Sequence, residues 1–533
     1  MNSICIDENN QLVVKFEPTG NFSKDYFIED FLNESDFTKI ENDFFYESKD
    51  IVEFKKRVKW TVDKFVKEFE DNLEICDSVD KYLDSINTDN DSYEKALTLG
   101  KEIKEKSTHN PNISDKFIRK LMPYQEESVE HLMEIGNGAN FSVPGSGKTT
   151  ITYAAISRWI EDGTAQKIIV IGPTASFLPW EEEYVECFGK SIRSCRVSGD
   201  FASKFHELGD SFDLFLIHFN TAMNRQWELQ NFMQKWNTVL IIDESHYIKS
   251  PALKRWASTA IIVAPYAKHR IILSGTPMPN NAKDLWTQIT FLWPQHLPLG
   301  NQILYNNYVK KNGVGKYQSV LDSLFCRIKK NTLNLPKPKW IPHKVELNSR
   351  QRDIYNVIEA DTLKEINETN IQDQAKLQKF RIAKMIRLLQ TASNPTLLSE
   401  MTSGFDVSNE LFSEQFGMPK PSSTTSKLEP TTVEKISNYS QFEIPSKMVK
   451  AAQIAGNLYD EGHKVIIWNS FIHNMMLFQK DLLADKTVHV INGNTPKDST
   501  EPGNRDEIIK KFKEDDEPQI LVTSAASLGE SVS

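Results

Sequence analysis

The ten residues 141–150, FSVPGSGKTT, decide how this chain reads. The run Ala139, Phe141, Val143 predicts a buried strand, and the apolar spacing from Thr149 to Trp159 predicts a helix after the turn. Strand, glycine-rich turn and helix in that order make a P-loop. Gly145 and Gly147 let successive N–H groups point at phosphate oxygens, Lys148 reaches the outer phosphates, and Thr149 can hold Mg2+. Pro144, Ser146 and Thr150 complete the candidate ATP-binding loop. One position departs from G-x-x-x-x-G-K-[ST]: Ser142 stands where the first glycine would be.

Outward from that loop, residues 114–300 alternate short β-rich runs with helical patterns. The runs are Ala139–Val143, Lys167–Ile171, Leu214–His218, Thr238–Ile242 and Arg270–Leu273, each closed by a polar or Gly/Pro cluster. A parallel sheet with ligands at the carboxyl ends of its strands reads this way, so a doubly wound α/β lobe is expected. The run Thr238–Ile242 delivers Asp243 and Glu244. Phosphoryl transfer to water needs a carboxylate near Mg2+, here Asp243, and a group that orients or deprotonates the water, here Glu244. His246 could couple this phosphate site to the next loop, Ser274-Gly275-Thr276, with a structural histidine as the plain alternative.

Residues 301–402 predict a helical segment, with Leu377, Phe380, Met385, Leu388 and Leu389 marking one apolar face before Pro395. Residues 403–446 are Ser/Thr/Pro-rich and predict a flexible linker or surface loop. A second β/α pattern occupies 447–533, with runs at Lys464–Trp468, Val488–Ile491 and Gln519–Thr523, and stops without completing a domain. Residues 1–113 carry no catalytic motif. Ile51, Phe54, Val58, Val62, Phe65, Phe69 and Leu73 recur at three- and four-residue steps, which predicts a mainly helical accessory domain.

Charge divides along the chain. The total of −10 argues against a nucleic-acid partner, yet residues 1–110 hold 15 Lys/Arg against 26 Asp/Glu and the remainder holds 48 against 47. The acidic accessory faces could repel DNA, gate the motor or dock a protein partner; a solvated helical face is the plain alternative. Five scattered cysteines with no C-x-x-C pair suggest neither zinc nor a redox site and read as free thiols. No apolar run approaches membrane-span length and the polar start MNSICIDENN does not read as a signal peptide, so no membrane contact and a cytoplasmic location are expected.

In this order, LMPYQ (121–125), FSVPGSGKT, GPTASFLPWEEEY with Trp180 and Glu183, DESHYIKS and RIILSGTPMPNNAKDLW (270–286) resemble the Q motif and motifs I, Ia, II and III of the Snf-type ATPases of helicase superfamily two. RIKKN near Leu335-Pro336, QRDIY and RLLQTASNPTLL resemble the family's helical insertions; EGHKVIIWNSF and ILVTSAASLGES resemble motifs IV and V. The resemblance implies an α/β fold of two RecA-like lobes, and an ATPase that translocates on double-stranded DNA. It implies that Gln125 reads adenine, that Gly529 of motif V joins the ATP site, and that ATP sits between the lobes. The sequence of motif V suggests a prokaryotic branch. No Q-x-x-G-R-x-x-R motif VI precedes Ser533, so a piece of a longer protein is expected; a chain nearly inert by itself is the alternative.

DNA backbone contacts are expected on loops after strands: Thr174 and Ser176, Asn220 and Thr221, Ser470, Asn492 and Gly493, and Ser524. Lys268, His269 and Arg270 form a basic cluster that reads as a solvated turn, with DNA contact as the alternative. A strand-separating DNA or RNA helicase is the nearest rival function, and a nucleotide-gated clamp without efficient hydrolysis is the rival of another class. An anti-phage or genome-maintenance setting is the expected biological role.

Overall fold

The computed structural model describes residues 2–7, 11–17, 22–41, 43–47, 51–69, 73–198, 204–249, 255–278, 282–336, 338–368, 385–398, 429–496 and 502–528. The chain forms two compact units, residues 1–336 and 337–532.

The first unit begins, as expected, with a region that is mainly helical over its described residues, but it also holds a sheet that was not expected. Strands β1 (Asn2–Ile6), β2 (Leu12–Lys15), β3 (Thr38–Ile40), β4 (Asp43–Tyr46) and β5 (Leu73–Ile75) lie in the order β3-β4-β2-β1-β5. β5 runs parallel to β1 and the other pairings are antiparallel. Helices α1 (Phe22–Glu34) and α2 (Ile51–Phe69) accompany it, with Ile28, Phe54, Val58 and Phe65 joining Ile4, Leu12, Val14 and Phe44 in one core. The three- and four-residue spacing of α2 was legible as far as Phe69, but Leu73, expected to continue it, opens β5. Strands of three to five residues are too short to show a period. Cys5 and Cys76 also correct the expectation of free thiols: they form a disulfide with Cα atoms 5.1 Å apart. Cys187, Cys195 and Cys326 are free and buried.

Helix α3 (Asp77–Glu105) then serves two cores. Its start packs Val79 and Tyr82 with the first sheet. Further on, Ala96 joins the core of the following lobe, Tyr93 meets Trp293 edge-on, and Lys104 lies 4.4 Å from the centre of the Phe325 ring. The expected boundary at residue 113 therefore falls after a helix already docked on the following lobe.

That lobe holds a seven-stranded, wholly parallel sheet. Strands β6 (Asn137–Asn140), β7 (Lys167–Gly172), β8 (Ser194–Val197), β9 (Leu214–His218), β10 (Thr238–Ile242), β11 (His269–Leu273) and β12 (Phe325–Cys326) lie in the order β12-β6-β11-β10-β7-β9-β8. One face is filled by Ile169, Phe215, Leu240 and Ile272, the other by Ile168, Val170, Leu214, Val239 and Ile271, as a sheet covered on both sides requires. Among the covering helices are α4 (Pro123–Ile135), α5 (Lys148–Glu161) and α6 (Phe177–Phe188).

The helical segment expected over 301–402 is split between the units. Helices Gln302–Asn312 and Gln318–Leu324 stay with the first, where β12 extends the sheet; helix Ser349–Glu368 belongs to the second. Leu377 and Phe380 lie outside the described residues. Residues 385–393 are helical; of the expected face Leu388 packs on the core of Ile354 and Leu398, but Met385 and Leu389 are exposed while Ile386 is buried, so the expected face is only partly the packed one. The second unit contains a three-stranded parallel sheet of β13 (Val465–Trp468), β14 (Val488–Ile491) and β15 (Ile520–Thr523), in the order β13-β15-β14. Within the expected linker, Pro430–Ser437 is a helix whose Ile436 packs, with Tyr439, on Ile354, Ile358 and Leu398. Proline suits a first helical turn, so composition alone misread that part; residues 403–428 are outside the described set.

Candidate nucleotide site

The loops after β6, β7, β9, β10 and β11 all lie at the carboxyl end of one parallel sheet, and they carry the expected residues of the first lobe. β6 leaves the sheet through Phe141, whose N–H donates to the Cys326 carbonyl at 2.9 Å. Ser142, the departure from the motif, is fully buried, and its Oγ accepts the Ile328 N–H at 2.8 Å. The hydroxyl stitches the segment after β12 to the phosphate loop, a bond that glycine could not make.

Gly145 and Gly147 have φ of 78° and 77°, and Gly147 is the left-handed residue that starts α5. A Cβ on Gly147 would stand 2.4 Å from Gln125 Nε2. Gln125, expected at adenine, braces the loop: its Oε1 accepts the Met122 N–H at 2.9 Å and its Nε2 donates to the Ser146 carbonyl at 3.0 Å. Lys148 and Thr149 are half-buried at the start of α5. Thr150 is otherwise engaged: its hydroxyl donates to Glu183 Oε1 at 2.5 Å, which leaves only its backbone for a phosphate.

Asp243 follows β10 and is buried. Its Oδ2 accepts the Trp180 indole N–H at 3.0 Å and its Oδ1 the Glu244 N–H at 3.0 Å. Burial, then the adjacent Glu244 charge, push its pKa up to about 6, while the Trp180 donor and the Lys148 ammonium act in the opposite sense. Glu244 has φ 51° and ψ 55°, a conformation that costs a non-glycine residue about 1–2 kcal/mol. His246 Nδ1 stands 3.2 Å from Glu244 Oε2 and its ring stacks on Tyr247. Of the loop expected to couple, Ser274 is fully buried and its Oγ accepts the Thr276 N–H; a Cβ on Gly275 would stand 2.9 Å from Pro144, so this loop lies directly on the P-loop.

Trp180 and Glu183 were legible only as part of a motif likeness; the structure shows their work. Three residues apart on α6, they share one side of the helix. Glu183 takes Thr150 and the Arg119 guanidinium (2.8 Å), while the Trp180 carbonyl accepts the Tyr153 hydroxyl at 2.7 Å. The pair clamps α5 and orients Asp243. Gln288, fully buried, was missed altogether, since an amide inside an apolar run has no sequence signature.

The expected DNA contacts divide. In the first unit Thr174 opens a 3-10 turn after β7, and Asn220 and Thr221 lie not on a loop but in the short helix Phe219–Asn224 after β9, Asn220 Oδ1 accepting the Trp256 indole N–H at 2.8 Å. Ser176 is buried with its Oγ on the Pro173 carbonyl, and Ser524 is buried with its Oγ accepting the Ser527 N–H, so both are turn-forming residues and not surface contacts. In the second unit Ser470 and Gly493 are exposed and Asn492 Oδ1 caps Asn494. Gly529 lies outside the described residues. Lys268, His269 and Arg270 sit at the opposite, amino end of the sheet. There His269 stacks on Trp159 at 4.0 Å and the buried Arg270 donates to the carbonyls of Ala264, Ala267 and Leu292.

The residues fit Mg2+ and ATP. Ser146 Oγ is buried without a hydrogen-bond partner beside two left-handed glycines, and the buried Asp243 carboxylate follows β10 at the same end of the sheet. Among the described residues no three His, Cys, Asp or Glu converge on a metal. No described helix is long and apolar enough to cross a membrane.

The SNF2-related domain family matches residues 124–397, just over half of the 533. An uncharacterised ATP-dependent helicase of Mycoplasma genitalium is 22% identical over 474 residues, 86% of this chain and 40% of that protein. The CHD3-type chromatin-remodelling factor CHR7 of Arabidopsis thaliana is 25% identical over 349 residues, 63% of this chain and 25% of that protein. The chain thus spans less than half the length of these relatives. The Sulfolobus solfataricus SWI2/SNF2 ATPase core in complex with dsDNA aligns over 77% of this chain and 79% of its own, at 21% identity and a TM-score of 0.38.

Proposed function

We propose, from the premise that this chain belongs to the SNF2-related domain family, that it hydrolyses ATP and uses the energy to move along double-stranded DNA. The observation that carries the reading is Trp180, which holds Asp243 at 3.0 Å and the Tyr153 hydroxyl of the P-loop helix at 2.7 Å, with the strained Glu244 next to Asp243. Lys148 and the N–H groups of residues 145–149 bind the phosphates. Thr149 and Asp243 would hold Mg2+, which when bound neutralises charge on the transferring phosphoryl group. Glu244 orients the attacking water and draws its proton. Trp180 keeps Asp243 ionised and aimed.

Duplex DNA as the track is supported by the family. The polar strand-end positions Thr174, Asn220, Thr221, Ser470 and Gly493 are the contacts we propose, and they grip phosphates without reading bases. ATP turnover measured with and without duplex DNA tests the reading. We expect DNA to raise turnover, Lys148→Ala to abolish it, and DNA affinity to fall with salt as counterions are released. Absence of DNA stimulation, or turnover retained by Lys148→Ala, overturns the proposal. Displacement of a triplex third strand without unwinding of the duplex marks a translocase, and unwinding marks a strand-separating helicase. The expected anti-phage or genome-maintenance setting predicts that cells carrying Lys148→Ala lose protection against phage or DNA damage.

A further inference from the structure

Helix Leu285–Leu292 follows the Ser274–Met278 loop in the chain, and all eight of its residues are buried. Leu285, Ile289, Phe291 and Leu292 belong to the lobe's apolar core, yet Gln288 lies among them with no exposed surface. An amide at such a place destabilises the fold unless its polar atoms are satisfied. Here they are. The Ser245 hydroxyl donates to Gln288 Oε1 at 2.6 Å, and Nε2 donates to the Pro277 carbonyl at 2.7 Å and the Asp284 carbonyl at 2.8 Å. Two carbonyls on one side and a hydroxyl on the other leave the amide a single orientation.

The partners belong to two functional loops. Ser245 is the residue after Glu244 and is itself fully buried. Pro277 ends the segment in which Gly275 lies against Pro144 of the phosphate loop, and the next residue, Met278, reaches the surface. One side chain therefore spans from the hydrolytic carboxylate to a loop that meets the P-loop at one end and solvent at the other.

We infer that Gln288 is a positioning residue that makes the Glu244–Ser245 turn and the Ser274–Met278 loop move as one. This rests on the reading of the site as an ATP site. If either loop shifts alone, a buried amide or hydroxyl is left without a partner, a state the interior disfavours strongly. The change that accompanies nucleotide binding or cleavage at Glu244 is thereby delivered to the surface at Met278.

Gln288→Met, which keeps the length and removes the polar atoms, tests this beside Gln288→Leu, Ser245→Ala and the Ser245→Ala/Gln288→Met double variant. We expect Gln288→Met to bind a fluorescent ATP analogue within about twofold of wild type, with DNA stimulation of turnover lowered at least about tenfold, since three buried hydrogen bonds are lost and one is worth about that factor. The double variant should be no worse than either single one, because the two residues share one link. Nucleotide should also change hydrogen exchange across residues 274–278 in the wild type and not in Gln288→Met. Full stimulation in Gln288→Met, losses that multiply in the double variant, or an unchanged exchange response overturns the inference. If Gln288→Met does not fold, Gln288→Leu and Ser245→Ala carry the same comparison. A wild type that binds no nucleotide overturns the proposed function beneath it, and this outcome is seen in the binding measurement before any variant is compared.

Discussion

The indole N–H of Trp180 reaches Asp243 Oδ2 across 3.0 Å, joining α6 to the end of β10. The bond favours the charged form of a carboxyl whose burial and whose neighbour Glu244 favour the neutral one. Trp180→Phe keeps the ring and removes the donor. We expect Asp243 to hold its proton to higher pH and Mg2+-dependent turnover to fall by about 10–100-fold, as for other residues that orient a metal ligand. A Mg2+ titration of ATP turnover at neutral pH checks it; curves that superimpose on wild type refute the role.

Glu244→Gln should retain nucleotide binding and lose turnover by roughly 100-fold or more, the range for removing a general base. Equilibrium binding of a fluorescent ATP analogue and steady-state hydrolysis separate the two effects. Lost binding would assign Glu244 to the phosphate cradle instead.

Two glycines with nearly the same φ should respond differently to alanine. At Gly145 a Cβ meets nothing within 4 Å, so Gly145→Ala carries only the left-handed penalty of about 1 kcal/mol. At Gly147 the same methyl also strikes Gln125 Nε2. Gly147→Ala should therefore lower the melting temperature more and lose nucleotide binding. Equal thermal shifts would show that the Gln125 brace gives way freely.

Stability should fall in mild acid. Burial lowers the pKa of His131 to about 3 and of His269 to about 4. The unfolded chain therefore takes up protons that the folded one refuses as pH drops below 6.5. Each histidine should remove about 1.4 kcal/mol per pH unit through that window. Asp243 opposes them: its raised pKa gives stability that is present in acid and lost as pH rises towards 6. Two histidines against one carboxyl leave a net loss between pH 6.5 and 4. His131→Gln should flatten the melting temperature against pH, and Asp243→Asn should stabilise the metal-free protein at pH 7. An unchanged slope in His131→Gln would refute the assignment.

What could be read from sequence follows from length and burial. Four of the seven strands in the large sheet announced themselves as apolar runs ending in turn residues; the run expected at Ala139–Val143 overlaps only the last two residues of β6, Asn137–Asn140. Ser194–Val197 did not, because its Ser194 and Arg196 are polar and bind Glu181; β12 did not, because it is two residues long. Lys148, Asp243 and Glu244 were legible because phosphate chemistry constrains residue type and spacing at once. The network behind them was not. Glu183 and Gln288 act through partners 33 and 43 residues away, and no local pattern records such contacts. Ser176 and Ser524 were misplaced for the converse reason, since a turn-capping serine and a ligand-binding one look alike in sequence.

The long helix α3 has one further consequence. At 1.5 Å per residue its 29 residues form a rod of about 43 Å whose two ends are rooted in different domains. At Gly100 it lies hard against the following lobe, for a Cβ there would stand 2.0 Å from the Ser323 carbonyl oxygen. A protein cut back to residue 114 would be an unroofed motor, with the flank around Trp293 and Phe325 newly wetted and apt to aggregate. Anything that pulls on the small amino-terminal sheet would turn the rod as a lever instead of slackening a tether.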